Sequence, residues 1–248
     1  MRHHKGVSLA TGVGSEEAVV IPGWLDLSAV VVGAFAGVLA GKKYSLDLVG
    51  FIAMCLICAL GGGLLRDAIM QTGSVYALES PLAIPLCVLT ALIGFLFPST
   101  IQRFPNLYEW VDMMSVALYV VAGTDKAITA GLHMSAIVLM GVITGVGGGM
   151  LRDVFMGEVP HVFRPSNFYA LCAVAGSLAY FVCISVINVD QTVSTVISIA
   201  VVLLLRRLSL RLDLVTPANV DLEPTVVSTG KRAVRKVRNV ARNDDSEE

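Results

Sequence analysis

Apolar residues dominate seven stretches of the chain, and short polar segments separate them. The stretches are residues 24–41, 45–70, 81–98, 110–123, 127–156, 167–187 and 192–205. Because about 20 mostly apolar residues cross a bilayer as a helix, this pattern predicts seven membrane helices. The seventh stretch is short, and it reaches a spanning length only if it extends to residue 210 while Arg206 and Arg207 snorkel to the interface.

A seven-residue motif occurs twice in these stretches. Residues 61–67 read Gly-Gly-Gly-Leu-Leu-Arg-Asp, and residues 147–153 read Gly-Gly-Gly-Met-Leu-Arg-Asp. At the same offset of 86 residues Trp24 matches Trp110 and Asp26 matches Asp112. About a third of the aligned pairs are identical, which indicates an internal duplication. The predicted order is a tail (1–23), a three-helix repeat (24–98), a second three-helix repeat (110–187), a seventh helix (191–210) and a second tail (211–248).

Three helices in each repeat have a geometric consequence. The second repeat must enter the membrane from the opposite side, so the repeats are predicted to be inverted about an axis in the membrane plane. Positive charges near the helix ends then give the orientation, because they favour the cytoplasmic side. Lys126 and a weak amino-terminal cluster fall on the other side, which places the N-terminus outside and the C-terminus in the cytoplasm. The residues assigned to the cytoplasmic side are Lys42, Lys43, Arg103, Arg164, Arg206, Arg207 and Arg211.

Composition agrees with a membrane protein. Hydrophobic residues make up 55% of the chain and charged residues only 15%, and the mean hydropathy is +0.76. Such a chain is too apolar to surround one soluble core with a polar surface. Nine of the 18 Lys and Arg residues follow residue 205, and the basic stretch 231–238 of the tail could lie on anionic lipid.

The glycine triplets are expensive in a helix, at about 0.8–1 kcal/mol for each glycine relative to alanine. We expect them to break the second and fifth helices near the middle of the membrane, where exposed carbonyls and half-helix ends would form an ion or solute site. The alternative is that the glycines only let neighbouring helices approach closely. The residues concerned are Gly61, Gly62, Gly63, Gly147, Gly148 and Gly149.

An ionisable pair follows each triplet. If a half-helix starts after the triplet, Asp67 and Asp153 lie in its first turn, where a carboxylate complements the helix dipole. Arg66 and Arg152 would oppose that dipole, so each needs a partner or a wet path. The arginines therefore either form ion pairs or act as a gate in a pore. The carboxylates available as partners on other segments are Asp26, Asp47, Asp112 and Asp125.

Two further charges complete the candidate site. Asp47 and Lys126 are either pore residues or ordinary interfacial caps, and His133 occupies the position of Asp47 in the second repeat. The chain contains no nucleotide-binding loop, no Ser/His/Asp order and no zinc signature. We therefore expect no enzymatic activity, no metal site, no cofactor and no nucleic-acid partner.

These residues resemble a known family. The doubled motif, with Lys43, Asp47 and Gly50 before the first copy and Gly123 and Lys126 before the second, resembles the prokaryotic form of the trimeric intracellular cation (TRIC) channel family, whose domain is also labelled glycine-transporter-like. The resemblance implies a homotrimer of seven-helix protomers in the cell membrane. Each protomer would hold a pore lined by the first, second, fourth and fifth helices, kinked at the triplets, that passes K⁺ and less selectively Na⁺.

Three functional classes remain open on the residues alone. A channel requires a continuous wet path with a gate. A secondary transporter of a small zwitterion such as glycine would bind its carboxylate and ammonium at the half-helix ends. The lack of a second cluster of side-chain oxygens for a coupling ion favours the channel. A lipid-binding protein built around the basic tail would explain that tail but not the duplicated triplets.

Overall fold

A computed structural model describes residues 23–97, 107–164 and 168–212, and all regular structure within them is helical. The predicted tails and Arg103 lie outside the described residues, apart from the few tail residues next to α1 and α8. The helices are α1 (Gly23–Lys43), α2 (Leu48–Met70), α3 (Tyr76–Glu79), α4 (Ala83–Leu96), α5 (Leu107–Thr129), α6 (Met134–Phe155), α7 (Tyr169–Phe181, extended by a π-helical turn over Val182–Val186) and α8 (Gln191–Arg211).

Five of these helices are long and apolar enough to cross a membrane, and α4 is a shorter apolar helix. They are α1, α2, α6, α7 with its π-helical turn, and α8. Helix α5 has 23 residues, as many as α2, and it buries the charged side chain of Asp125. The chain is a multi-pass membrane protein.

The boundary between the fourth and fifth helices differs from the prediction. The fifth helix was expected to begin at residue 127, but α5 continues through Asp125 and Lys126 to Thr129, and α6 begins only at Met134. Partners elsewhere in the fold satisfy both charges, so they do not end the helix. The turn comes at Gly131, whose backbone φ of 68° lies in the left-handed region that glycine adopts readily.

The expected helix breaks at the glycine triplets are absent. Helix α2 is continuous from Leu48 to Met70, and α6 is continuous from Met134 to Phe155. An intact helix keeps its carbonyls in hydrogen bonds between turns, so no free ring of midplane carbonyls forms at these positions. The prediction failed because the triplets have a different use, which is the packing of α2 against α6.

Two apolar cores flank this packing. The first lies among α1, α2 and α4 and contains Val30, Val38 and Cys55. The second lies among α5, α6, α7 and α8 and contains Val116, Val120 and Val202. Each of these two cores lies within one half of the protein, and α2 and α6 meet between them.

Candidate functional site

Helices α2 and α6 cross in near backbone contact at the glycine triplets. A Cβ atom at Gly62 would lie 2.2 Å from the carbonyl oxygen of Thr144, and one at Gly148 would lie 2.4 Å from that of Cys58. A Cβ at Gly147 would lie 2.9 Å from Cα of Gly62. No side chain fits at such distances, so the interpretation of the glycines as close-packing residues is the one that the structure supports. Residue 58 faces 148 while 62 faces 144, so the two helices run in opposite directions through the crossing.

The third glycine of each triplet has another neighbour. A Cβ at Gly63 would lie 3.9 Å from Nη2 of Arg66, and one at Gly149 would lie 3.6 Å from Nη2 of Arg152. Residues three apart share one face of a helix, so each guanidinium folds back beside the glycine that precedes it by three positions. The duplicated motif therefore combines a helix crossing with a pocket for its own arginine.

The first arginine belongs to the Asp67 cluster, which consists of Arg66, Asp67, Tyr76 and Lys126. Oδ1 of Asp67 accepts hydrogen bonds from Nε of Arg66 and from Nζ of Lys126, both at 2.8 Å. Oδ2 of Asp67 accepts the backbone N–H of Tyr76 at 3.1 Å. Asp67 is only 6% exposed, so three donors compensate for the lost hydration of its carboxylate. Lys126 thereby joins α5 to the end of α2.

The second arginine belongs to the Asp153 cluster, which consists of Asp112, Arg152, Asp153, His161 and Tyr169. Nε of Arg152 donates to Asp153 at 2.9 Å, and Nη1 donates to Asp112 on α5 at 3.0 Å. The Tyr169 hydroxyl donates to the other oxygen of Asp112 at 2.9 Å. The backbone N–H of His161 donates to Asp153 at 3.0 Å, and its Nδ1 lies 2.9 Å from the same oxygen. Asp112 is thus the ion-pair partner of Arg152, as one of the alternatives anticipated.

The predicted position of the four motif charges relative to the helix dipoles is wrong. Arg66, Asp67, Arg152 and Asp153 lie near the C-terminal ends of continuous helices, not in the first turns of half-helices. The C-terminal end carries partial negative charge, so it stabilises the arginines and opposes the aspartates. The aspartates are therefore the residues that need partners. Each accepts a backbone N–H from the segment that follows its helix, which helps to hold that segment against the helix end.

Asp47 does not join either cluster. Its carboxylate accepts the N–H of Gly50 at 2.8 Å and caps the start of α2, where the side chain is exposed. The 20-residue separation places it about 30 Å from Asp67 along the helix. His133 occupies the same N-cap position at the start of α6. Asp47 is therefore a helix cap.

Three tyrosines are functional candidates that the sequence analysis did not select. The hydroxyl of Tyr119 donates to the carbonyl of Ala59, and Tyr169 contacts Asp112 as described. The Tyr180 hydroxyl donates to Asp125 at 2.6 Å. At the offset of 86 residues Tyr119 faces glycine and Tyr169 faces alanine in the first repeat, so a search for duplicated positions misses them. A tyrosine within an otherwise apolar helix was the available signal, because its hydroxyl needs a partner when buried.

A second oxygen-rich group surrounds Asp125. Besides Tyr180, Nε2 of Gln191 donates to its carboxylate at 3.3 Å, which ties α7 and α8 to α5. The sequence argument against a transporter relied on the lack of a second oxygen cluster, and that premise does not hold. Asp125 is 2% exposed, and the two described side chains that donate to it, those of Tyr180 and Gln191, are uncharged.

Beyond the helix ends, Glu158 connects the two halves of the protein. It accepts hydrogen bonds from the hydroxyl of Tyr44 and from Lys43 at 3.3 Å, and Arg164 lies 3.4 Å away. The hydroxyl of Tyr44, and next the ammonium of Lys43, hold the pKa of Glu158 below its ordinary value of 4.5. Lys43 and Arg164 therefore lie at one end of the molecule, whereas Lys126 lies at the Asp67 cluster.

A small cavity adjoins the Asp67 cluster. Its volume is about 20 Å³, which is room for one or two water molecules. Side chains from α1, α2, α3 and α5 line it, among them Asp26, Arg66, Tyr76 and Tyr119. The cavity brings a carboxylate, a guanidinium and two hydroxyls together beside the α2–α6 crossing.

Comparisons with known proteins show which family the chain belongs to. A family model described as Glycine transporter matches residues 23–99 and again residues 109–185, so each match contains one triplet. A solved TRIC cation channel structure superposes with a TM-score of 0.72 at 26% identity, over 81% of this chain and 98% of the other. The chain belongs to the TRIC channel family. The TRIC orthologue from Rhodobacter sphaeroides is similar to it at a TM-score of 0.70 and 26% identity, over 77% of this chain and 97% of the other.

Curated relatives of this TRIC family member are bacterial membrane proteins. The UPF0126 inner membrane protein YadS of Escherichia coli K12 is 30% identical over 195 residues, which cover 78% of this chain and 94% of YadS. A UPF0126 membrane protein of Deinococcus radiodurans is 34% identical over 155 residues, which cover 62% of this chain and 72% of that protein.

Proposed function

We propose that this TRIC family member is a K⁺-preferring monovalent cation channel and not an enzyme. One observation carries the proposal: two buried charge clusters lie on opposite sides of the α2–α6 crossing, and each contains the arginine and aspartate of one triplet motif. Buried charges in a membrane are costly, and they mark ion paths and gates more often than packing. The permeant ion is K⁺ or Na⁺, and no cofactor is required.

The path runs between α1, α2, α5 and α6, with one pore in each protomer. The two clusters close it in the described conformation, because Lys126 joins α5 to Asp67 on α2 and Arg152 joins α6 to Asp112 on α5. Opening requires these ion pairs to separate or exchange partners. The glycine triplets allow α2 and α6 to bend as this happens, since the glycines themselves contribute no side chain to the crossing.

The arrangement proposed for the whole protein is the one that its sequence predicts. We propose two inverted three-helix repeats and a seventh helix, α8, in a homotrimer in the cell (inner) membrane with bound lipid around it. The opposite directions of α2 and α6 support the inversion. The shared contacts of Lys43 and Arg164 support one basic end, which faces the cytoplasm if the positive-inside rule holds and places the N-terminus outside.

A glycine transporter is the second candidate, since the description of the family model favours it. Asp26 and Arg66 could in principle bind the ammonium and carboxylate of a zwitterion. Their cavity of about 20 Å³ holds one or two waters, however, and glycine has five non-hydrogen atoms. The volume therefore favours a passing cation over a bound amino acid.

Flux into proteoliposomes separates the two functions. Vesicles that contain the purified protein are expected to pass K⁺ or Tl⁺ down a gradient without any amino acid, and the flux should rise linearly with the gradient. Protein-free vesicles control for leakage. Saturable uptake of radiolabelled glycine in vesicles without cation flux would contradict the channel and support the transporter.

A further inference from the structure

The duplicated aspartates Asp26 and Asp112 have different surroundings. Both oxygens of Asp112 are engaged, one by Arg152 at 3.0 Å and the other by Tyr169 at 2.9 Å. Asp26 forms no hydrogen bond or salt bridge with another residue that the structure describes, and its interactions with Arg66 and Lys126 act through space. Both repeats therefore contain the carboxylate, but its contacts differ between them.

One sequence difference contributes to this asymmetry. The position that corresponds to Tyr169 is Ala83, so no hydroxyl of that kind reaches Asp26. Nε of Arg66 donates to Asp67 as Nε of Arg152 donates to Asp153, but only Arg152 also donates to the duplicated aspartate among the described residues. Asp26, in the first turn of α1, therefore has oxygens that accept no hydrogen bond from the residues that the structure describes.

Asp26 lines the small cavity beside the Asp67 cluster. Its wall also includes Tyr119, whose hydroxyl donates to the carbonyl of Ala59 and keeps its lone pairs available. Carboxylate, hydroxyl and carbonyl oxygens are the ligands that hard monovalent and divalent cations prefer. A volume of about 20 Å³ admits a single ion that has shed most of its water.

We propose that Asp26, with the hydroxyl of Tyr119, forms a binding site for one partly dehydrated monovalent cation at this end of the path. The inference rests on the proposed cation conduction. In the closed conformation the tethered guanidinium of Arg66 faces the site, and an entering cation takes over its interaction with Asp26 as Arg66 stays on Asp67. The described residues of the other half form no equivalent site, because Arg152 and Tyr169 donate hydrogen bonds to the two oxygens of Asp112.

The test compares Asp26→Asn with Asp190→Asn. Asp190 is an exposed carboxylate that caps α8 beside Gln191, so its removal controls for a general change of surface charge. Unitary current is measured against K⁺ concentration on the Asp26 side in planar bilayers. We expect Asp26→Asn to raise the half-saturating K⁺ concentration at least fivefold and Asp190→Asn to leave it unchanged. Asp26→Glu, which keeps the charge, should stay near wild type.

A binding measurement distinguishes failure of the site from failure of the channel. The unfolding temperature of purified protein is measured in KCl and in choline chloride of equal ionic strength. We expect K⁺ to stabilise the wild type and Asp190→Asn but not Asp26→Asn. Equal K⁺ stabilisation and equal half-saturation in all three proteins would overturn the site while a conducting wild type upheld the channel. Stabilisation by K⁺ that depends on Asp26 without unitary current would support the site and count against the channel.

Discussion

The ammonium group of Lys126 lies 2.8 Å from the carboxylate of Asp67, although 59 residues separate the two in the chain. The contact joins the end of α2 to α5, which belongs to the other half of the protein. The same oxygen of Asp67 also accepts a hydrogen bond from Arg66, so one carboxylate pairs with two cationic side chains. A closed path that depends on this arrangement should respond when one of the cations is removed.

Replacing Lys126 with Met tests this contact. The variant removes the charge and keeps an unbranched apolar side chain, so Asp67 loses its partner on α5. We expect the open probability to rise and the free energy of unfolding to fall by about 1–3 kcal/mol, as for a buried acceptor that loses a donor. Single-channel recording and denaturation in detergent measure the two effects. Lys126→Arg is the matched control, and a Met variant that behaves like it would exclude the contact as a closing element.

The hydroxyl of Tyr169 and the carboxylate of Asp112 should be energetically coupled. In a double-mutant cycle, Asp112→Asn and Tyr169→Phe are expected to show a coupling energy of about 0.5–3 kcal/mol, because each residue is a partner of the other. The free energies of unfolding provide the measurement. Pairing Asp112→Asn with Tyr180→Phe is the control, since Tyr180 contacts Asp125 instead and the two changes should add. Additivity in both cycles would contradict the described Asp153 cluster.

The glycines of one triplet should differ sharply in their tolerance of alanine. Gly62→Ala and Gly148→Ala place a Cβ against a backbone carbonyl, and we expect each to destabilise the protein by about 1–3 kcal/mol. Gly63→Ala meets only the end of Arg66 at 3.9 Å and should be neutral or stabilising, because alanine favours a helix by about 1 kcal/mol. Thermal unfolding in detergent ranks the variants. Equal effects at positions 62 and 63 would show that the crossing is not as close as described.

The Glu158 contact should respond to pH only in the acid range. A carboxyl whose pKa is lowered by folding stabilises the protein above its unfolded-state pKa, and the effect is lost as the pH falls through the lower folded-state pKa. The difference in unfolding temperature between wild type and Glu158→Gln should therefore be constant from pH 7 to about pH 5 and shrink below about pH 4.5. Glu79→Gln, at an exposed glutamate outside this contact, is the control. A difference that already changes between pH 7 and pH 6 would refute this assignment.

The sequence predicted the helices well where apolar runs were long, because membrane helices are recognisable from length and hydropathy alone. It also selected the arginine and the aspartate at the centre of each charge cluster through the duplicated motif. It could not decide whether Gly62 and Gly148 break a helix or let two helices touch, since both uses require the same residue. That decision depends on the opposing backbone of α6 and α2.

The same limit explains the reversed dipole argument. Once a break was assumed, Asp67 was assigned to the start of a helix, whereas it lies near the end of one. The partners of the arginines were equally hard to choose, because four aspartates were available and distance in space decides among them. Each arginine binds the aspartate next to it, but only Arg152 also binds its duplicated aspartate, Asp112, within the part of the chain that the structure describes.

Single-channel recording of the purified protein in planar bilayers under a KCl gradient tests the central claim most directly. We predict discrete current steps that reverse near the K⁺ equilibrium potential, and a higher open probability when Arg66→Ala or Arg152→Ala removes the cation of one cluster. A membrane that stays silent with correctly folded protein, or steps that reverse near the Cl⁻ equilibrium potential, would contradict a cation channel closed by these two clusters.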